Sequence, residues 1–164
     1  MIEVQEMGNK QIEELMQRVR YGHLACTDGR RPYLVPIHFD YEPPYIYVYT
    51  TEGKKTEMIR NNPRVCLQLE DVKDAANWAS VIVDGEAEEL TDEAEKENAI
   101  KAIERLNPTL TPAVSIHWMD NWVRENIEVI YRIIPVETSG RESIPKSDNQ
   151  TPFVPSKKSP SRLH

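Results

Sequence analysis

The chain has 164 residues, 39% of them apolar and 29% charged, and carries a net charge of −7. That length suits one domain with a substantial core. An acidic body repels phosphates and speaks against general nucleic-acid binding, and no apolar run approaches the roughly 18 residues that span a membrane.

The first residues, MIEVQEMGNKQIEELM, lack the basic start and apolar core of a secretory leader, so a cytoplasmic location is expected. Ile12, Leu15, Met16 and Val19 recur at helical spacing and predict an amphipathic helix over 9–20. Asn9 is its expected N-cap, and Gly22 is expected to end it. Short strands follow. YGHLACT (21–27) ends at Asp28-Gly29, a hairpin signal. RPYLVPIHFDY (31–41) contains Pro36, which marks an edge, a bulge or a broken ladder. After the turn Glu42-Pro43-Pro44, YIYVYTT (45–51) sets Tyr45, Tyr47 and Tyr49 against Ile46 and Val48. These links are too short for helical crossovers, so three antiparallel strands in a row are implied.

A short helix over 54–61, with Met58 and Ile59 inward, is expected to stop before Pro63. RVCLQLE (64–70) alternates as a strand; a charged loop follows, then WASVIVDGEAEEL (78–90). Asp92 and Glu95 open a helix whose stripe is Ala99, Ala102, Ile103 and Leu106, and Pro108 and Pro112 break it. Residues 113–126 show no clear period, and IEVIYRIIPVE (127–137) is a last strand. Five or six antiparallel strands with two longer helices and a short one suggest a small barrel with helices packed outside it. Residues 141–164 hold five Lys/Arg, two acids and four prolines, a net +3 that leaves −10 for the rest. They read as a disordered basic tail after a domain spanning 1–140.

Little in the chain offers nucleophilic or metal chemistry. Cys26 and Cys66 fit no zinc spacing and read as small buried hydrophobes. Ser80 and Ser115 sit in no GxSxG elbow, and His23, His38 and His117 match no metal motif, so no metal site is expected. His38, within a strand, reads as structural. The carboxylates of DGEAEELTDEAEKE read as a solvated face. What remains is Gly53-Lys54-Lys55, where a strand stops and a helix begins. Glycine allows a tight exit from the strand. A helix start presents unpaired N–H groups and a positive dipole end, and two ammonium groups beside it make an anion site. The pattern alone fits a phosphate site and a solvated lysine pair equally well.

The order PYLVPIHF, hairpin, IYVYTTEGKK, a short helix ending IRNNPRVCL, then WASVIVDGEAEEL resembles the FMN-binding split-barrel family. That family includes pyridoxamine 5′-phosphate oxidase and its relatives, and the nearest branch looks like the one containing the nitroimidazole reductases. The resemblance covers about residues 10–137 and implies a six-stranded antiparallel split β-barrel with flanking helices, binding FMN. It implies a homodimer with FMN at the subunit interface and a small-molecule substrate.

By resemblance the flavin ring lies along Leu34, Val35, Pro36, Ile37 and His38, mostly against backbone, and is bordered by Tyr49, Thr50 and Thr51. Gly53, Lys54 and Lys55 match the place that holds the FMN phosphate. Trp78 and Ser80 are candidates to reach FMN from the other subunit. The activity implied is an FMN-dependent oxidoreductase; the alternative is a non-catalytic flavin-, deazaflavin- or haem-binding barrel. Nitroimidazole reductases usually carry a histidine where Tyr49 stands, which argues against that reaction. The C-terminal Trp/Arg signature of true pyridoxamine-phosphate oxidases is not matched convincingly by Arg132 and Arg141, so vitamin B6 oxidation is not the expected activity.

Overall fold

A computed structural model gives the fold and describes residues 2–106 and 129–144, with backbone alone at 103–106. The elements run β1 (Glu3–Glu6), α1 (Asn9–Arg18), β2 (Tyr21–Thr27), β3 (Pro32–Glu42), β4 (Tyr45–Thr50), α2 (Lys54–Asn61), β5 (Arg64–Asp74), β6 (Asn77–Glu89), α3 (Glu93–Leu106) and β7 (Val129–Ile144). The seven strands form one antiparallel sheet in the order β1-β7-β4-β3-β2-β5-β6, and β6 pairs with β7 to close it. Six strands therefore make the expected barrel. The seventh, β1, was not foreseen; it adds to the end of β7, pairing Glu3–Glu6 with Arg141–Ile144.

Strict alternation drives the closure. Leu24, Cys26, Ile37, Phe39, Ile46, Val48, Val65, Leu67, Leu69, Val81, Val83, Tyr131 and Ile133 all turn inward into one core. Two helices complete that core. α1 contributes Ile12, Leu15 and Met16, and α2 contributes Met58 and Ile59. α3 instead covers the outside of β4 and β7, where Tyr49, Leu90, Ala99 and Ile130 form a second cluster.

Four expectations need correction. The N-cap of α1 is Gly8, whose N–H reaches Gln11 Oε1 at 2.8 Å, and Asn9 is the first helical residue. Gly22 does not end the helix; it lies buried in β2, and a Cβ there would sit 2.4 Å from the Gln68 carbonyl oxygen. The charged loop is absent, because β5 and β6 form one long hairpin whose turn is held by Asp74 Oδ1 accepting Ala76 N–H at 2.7 Å. The last strand passes residue 140 and runs to Ile144. It is held there by β1 on one side and, on the other, by Ser143 Oγ accepting Trp78 N–H at 2.9 Å. Pro108, Pro112, Ser115 and His117, and residues 145–164 of the expected tail, lie outside the described residues.

Candidate functional site

The barrel wall is split between β3 and β4. β4 pairs with β3 only from Phe39 to Glu42, whereas β2 pairs with β3 from Pro32 to His38. Beyond Val48, β4 follows β7 instead, with Tyr49 opposite Ile130 and Thr50 opposite Val129. Among the described residues, one edge of β3 is therefore unpaired over Pro32–His38. Phe39 N–H points to the Arg20 carbonyl on the β2 side. By alternation, the backbone groups of Leu34 and His38 face the open edge, and so does the position where Pro36 lacks an N–H. Pro36 thus sits where no ladder bond is lost.

The side chains of this strand divide by face. Half-buried Val35 packs against the core and Ile37 lies in it, so both side chains are on the inner face. Leu34, 62% exposed, and Pro36 lie on the outer face with half-buried His38. Tyr21, across from His38, meets both His38 and His23 edge-on at 5.5 and 5.6 Å. His38 Nδ1 is buried and has no partner among the described residues. Tyr49 and Thr50 are buried, and Tyr49 lies beneath α3. Burial, then the nearby Asp40 carboxylate, push the Tyr49 hydroxyl pKa well up, which keeps it protonated. Thr51, half-buried, follows the strand and offers its carbonyl to Thr50 Oγ1 at 3.3 Å.

The open edge of β3 leads to the start of α2. Lys54, exposed, places Nζ 4.7 Å from the centre of the Tyr33 ring on β3. Lys55 is half-buried, and no carboxylate pairs with it among the described residues. Burial pushes its pKa down, and proximity to Cys26 only partly offsets this. Burial likewise pushes up the pKa of the Cys26 thiol, while Lys55 and Lys54 draw it down.

The first helical bond runs from Glu57 N–H to the Gly53 carbonyl at 3.1 Å, so the N–H groups of Lys54, Lys55 and Thr56 precede it. Gly53 is in extended backbone, contrary to the expectation that the turn needs its freedom, and a Cβ there would meet nothing within 4 Å. The turn is shaped instead by Thr56, whose Oγ1 accepts Gly53 N–H at 2.9 Å. Thr56 and Tyr33 went unrecognised in the sequence. The position of Thr56 three residues after a glycine was the available signal for the first; Tyr33 carried none, because its nearness to Lys54 depends on the fold.

Trp78 and Ser80 stand apart from the lysines. Ser80 accepts from Gln68 Nε2 at 3.4 Å, and Gln68 Oε1 lies 3.3 Å from His23 Nδ1. The outer face of β3, β2, β5 and β6 is thus one surface holding Leu34, Tyr21, Val72 and Ile82, all exposed. Half-buried Cys66 lies on it too, whereas Cys26 is buried as expected. Ser80 on β6 is three strands from β3, roughly 14 Å at about 4.8 Å per strand. One cavity of about 290 Å³ opens beside Trp78, Lys73 and Glu142. Another of about 200 Å³ lies between α3 and Arg132. Neither is lined by Lys54 or Lys55. Among the described residues no three His, Cys, Asp or Glu side chains are placed to hold a metal ion. No described helix is long and apolar enough to cross a membrane.

Comparison with known proteins agrees with this geometry. The sequence profile of the family described as pyridoxamine 5′-phosphate oxidase matches residues 8–142. A FAD-binding protein of Mesorhizobium loti superposes with a TM-score of 0.70 at 28% identity, over 88% of this chain and 100% of that one. A candidate pyridoxamine 5′-phosphate oxidase of Corynebacterium glutamicum gives 0.66 at 25% identity, over 85% and 98%. A candidate 5-nitroimidazole antibiotic resistance protein of Bacteroides thetaiotaomicron gives 0.66 at 23%, over 87% and 89%, and shares the fold. An uncharacterised protein of Rhizobium meliloti (strain 1021) is 30% identical over 87 residues, which span 53% of this chain and 58% of that relative.

Proposed function

The chain belongs to the pyridoxamine 5′-phosphate oxidase family, and we propose that it is an FMN-dependent oxidoreductase acting on a small organic substrate. The observation that carries this reading is half-buried Lys55, with no carboxylate partner among the described residues, at a helix start that adjoins the open edge of β3. A half-buried ammonium with no carboxylate beside it is less well solvated than one in water, and a phosphate would satisfy it. Lys54, Lys55 and the N–H groups of Lys54, Lys55 and Thr56 would hold that phosphate. The open space beside Gly53 leaves room for it. The backbone of Leu34 and His38 would meet the edge of the flavin ring. The flavin would supply the electron transfer, so the chain needs no nucleophile of its own.

In this reading the protein is a homodimer. A flat ring against an exposed strand edge is not enclosed by one chain, whereas flavin-sized ligands are usually mostly buried. The apolar outer face bearing Tyr21, Leu34, Val72 and Ile82 is the surface a second copy would cover. Pairing there would bring Trp78 and Ser80 of one copy toward the flavin of the other. Sedimentation at micromolar concentration is expected to give twice 19.0 kDa; a monomer that still binds FMN tightly would contradict the interface site.

A second reading, a flavin carrier without turnover, is favoured by Tyr49, which is packed beneath α3 instead of facing the open edge. The absorbance spectrum of the purified protein, followed by titration with FMN, FAD and riboflavin, tests the cofactor. Reduction by NADH or NADPH with a panel of acceptors tests turnover. A colourless protein that takes up none of the flavins would overturn both readings.

A further inference from the structure

We infer that Arg60 makes the start of α2 fit for a phosphate by offsetting the charge of Glu52. This rests on the phosphate reading above, which meets a difficulty in the chain itself. Glu52 stands two residues before Lys54, and its Oε2 lies 2.9 Å from Thr56 Oγ1. Thr56 Oγ1 accepts the Gly53 N–H, also at 2.9 Å. A carboxylate is therefore two hydrogen bonds from the backbone that opens the helix, where its charge opposes an incoming anion.

Protonation does not relieve it. Arg60 first and Thr56 second hold the Glu52 carboxyl below the usual carboxylate range, so it stays ionised at any working pH. Its charge has to be met by a cation, and Arg60 supplies one in a fixed geometry. Arg60 Nη1 donates to Glu52 Oε2 at 2.8 Å and Nη2 to Oε1 at 2.5 Å, a bidentate pair. The guanidinium is also held from the far side by Glu89 at the end of β6, through Nε at 2.9 Å and Nη2 at 3.0 Å, so the three groups together carry one net negative charge, and two without Arg60. The pair is partly exposed, so it adds little to fold stability. Its effect on a neighbouring charge is a different matter and persists wherever salt does not screen it. Arg60 is thus a positioning residue, acting on the phosphate through Glu52 without touching it.

The test titrates apo-protein with FMN and with riboflavin, following flavin fluorescence at low ionic strength. R60M is expected to weaken FMN binding about tenfold and to leave riboflavin within about twofold. E52Q/R60M removes the carboxylate together with its counter-charge and is expected to restore FMN binding to within about threefold of wild type. E52Q alone is expected to bind FMN at least as tightly as wild type. Equal affinity of the wild type for FMN and riboflavin removes the phosphate reading, and this inference with it. A wild type that prefers FMN, with E52Q/R60M as weak as R60M, keeps the phosphate reading and overturns the charge role in favour of a tether. An R60M variant indistinguishable from wild type also overturns it. If R60M does not fold, the two variants carrying E52Q decide: loss of the FMN preference in either one refutes the inference.

Discussion

α1 and α2 begin alike. A glycine precedes each, and the third helical residue returns a side-chain oxygen to that glycine's N–H, Gln11 Oε1 at 2.8 Å and Thr56 Oγ1 at 2.9 Å. Each carries a lysine at its second position and buries apolar residues in the same core. The lysines then part ways. The Lys10 side chain is 90% exposed, with Glu14 at 3.9 Å one turn on. Lys55 is half-buried beside Cys26, with no carboxylate partner among the described residues. Capping is a requirement of folding and is met in the same way at both helix starts. The surroundings make the difference: the β2–β3 hairpin brings Tyr33 and Cys26 against the start of α2. Two helix starts of similar sequence grammar can therefore differ in what they are able to bind.

The largest expected effect separates the two starts directly. K54A/K55A removes up to two charge-assisted contacts, each about 1.5–3 kcal/mol before solvent screening. FMN affinity is expected to fall at least about tenfold, the equivalent of one such contact, with riboflavin nearly unchanged. K10A is expected to change neither. Fluorescence titration of the three proteins checks this, and equal losses for FMN and riboflavin in K54A/K55A would remove the lysines from the phosphate.

pH sharpens the comparison. An anion binds best to a protonated lysine. Burial lowers the Lys55 pKa, so the ammonium is lost at a lower pH than an ordinary lysine, and FMN affinity falls as pH rises through that value. Titrations across the alkaline range are expected to show this early fall in wild type and not in K55M. An identical profile in both would show that Lys55 does not carry the dependence.

Stability gives smaller contrasts. Thr56 is fully buried and its Oγ1 accepts the Gly53 N–H. T56A is therefore expected to cost about 1–2 kcal/mol, at the upper end for a capping group. Gln11 is exposed and also reaches Glu142 at 2.7 Å, and Q11A is expected to cost about 0.5 kcal/mol. Chemical denaturation measures both, and an equal cost would mean that burial does not distinguish the caps. Smallest of all, K10A removes an exposed pair and is expected to shift stability by no more than about 0.3 kcal/mol.

The sequence makes the local parts of this molecule legible. Periodicity marks the two core-packed helices and the strands, because burial on one face leaves a repeat in the residues themselves. Lys54 and Lys55 stand out because they follow a strand and open a helix. The long-range parts leave no such trace. β1 is four residues long with every side chain exposed, so it has no apolar pattern to find. The two misread glycines show the same limit. Gly22 looks like a helix terminator, yet it is required by the close approach of β2 to β5. Gly53 looks like a residue chosen for its backbone freedom, yet it lies in extended backbone with open space around it. The Glu52–Arg60–Glu89 contacts join a loop, a helix and the end of a distant strand, and no spacing rule connects them.

The central claim is that the start of α2 holds a flavin phosphate. Its most direct test is a side-by-side titration of the apo-protein with FMN and riboflavin at neutral pH and low salt. The two ligands share the ring and differ in the phosphate. The account predicts that FMN binds at least about tenfold more tightly, the equivalent of one charge-assisted contact. Equal affinities would contradict it.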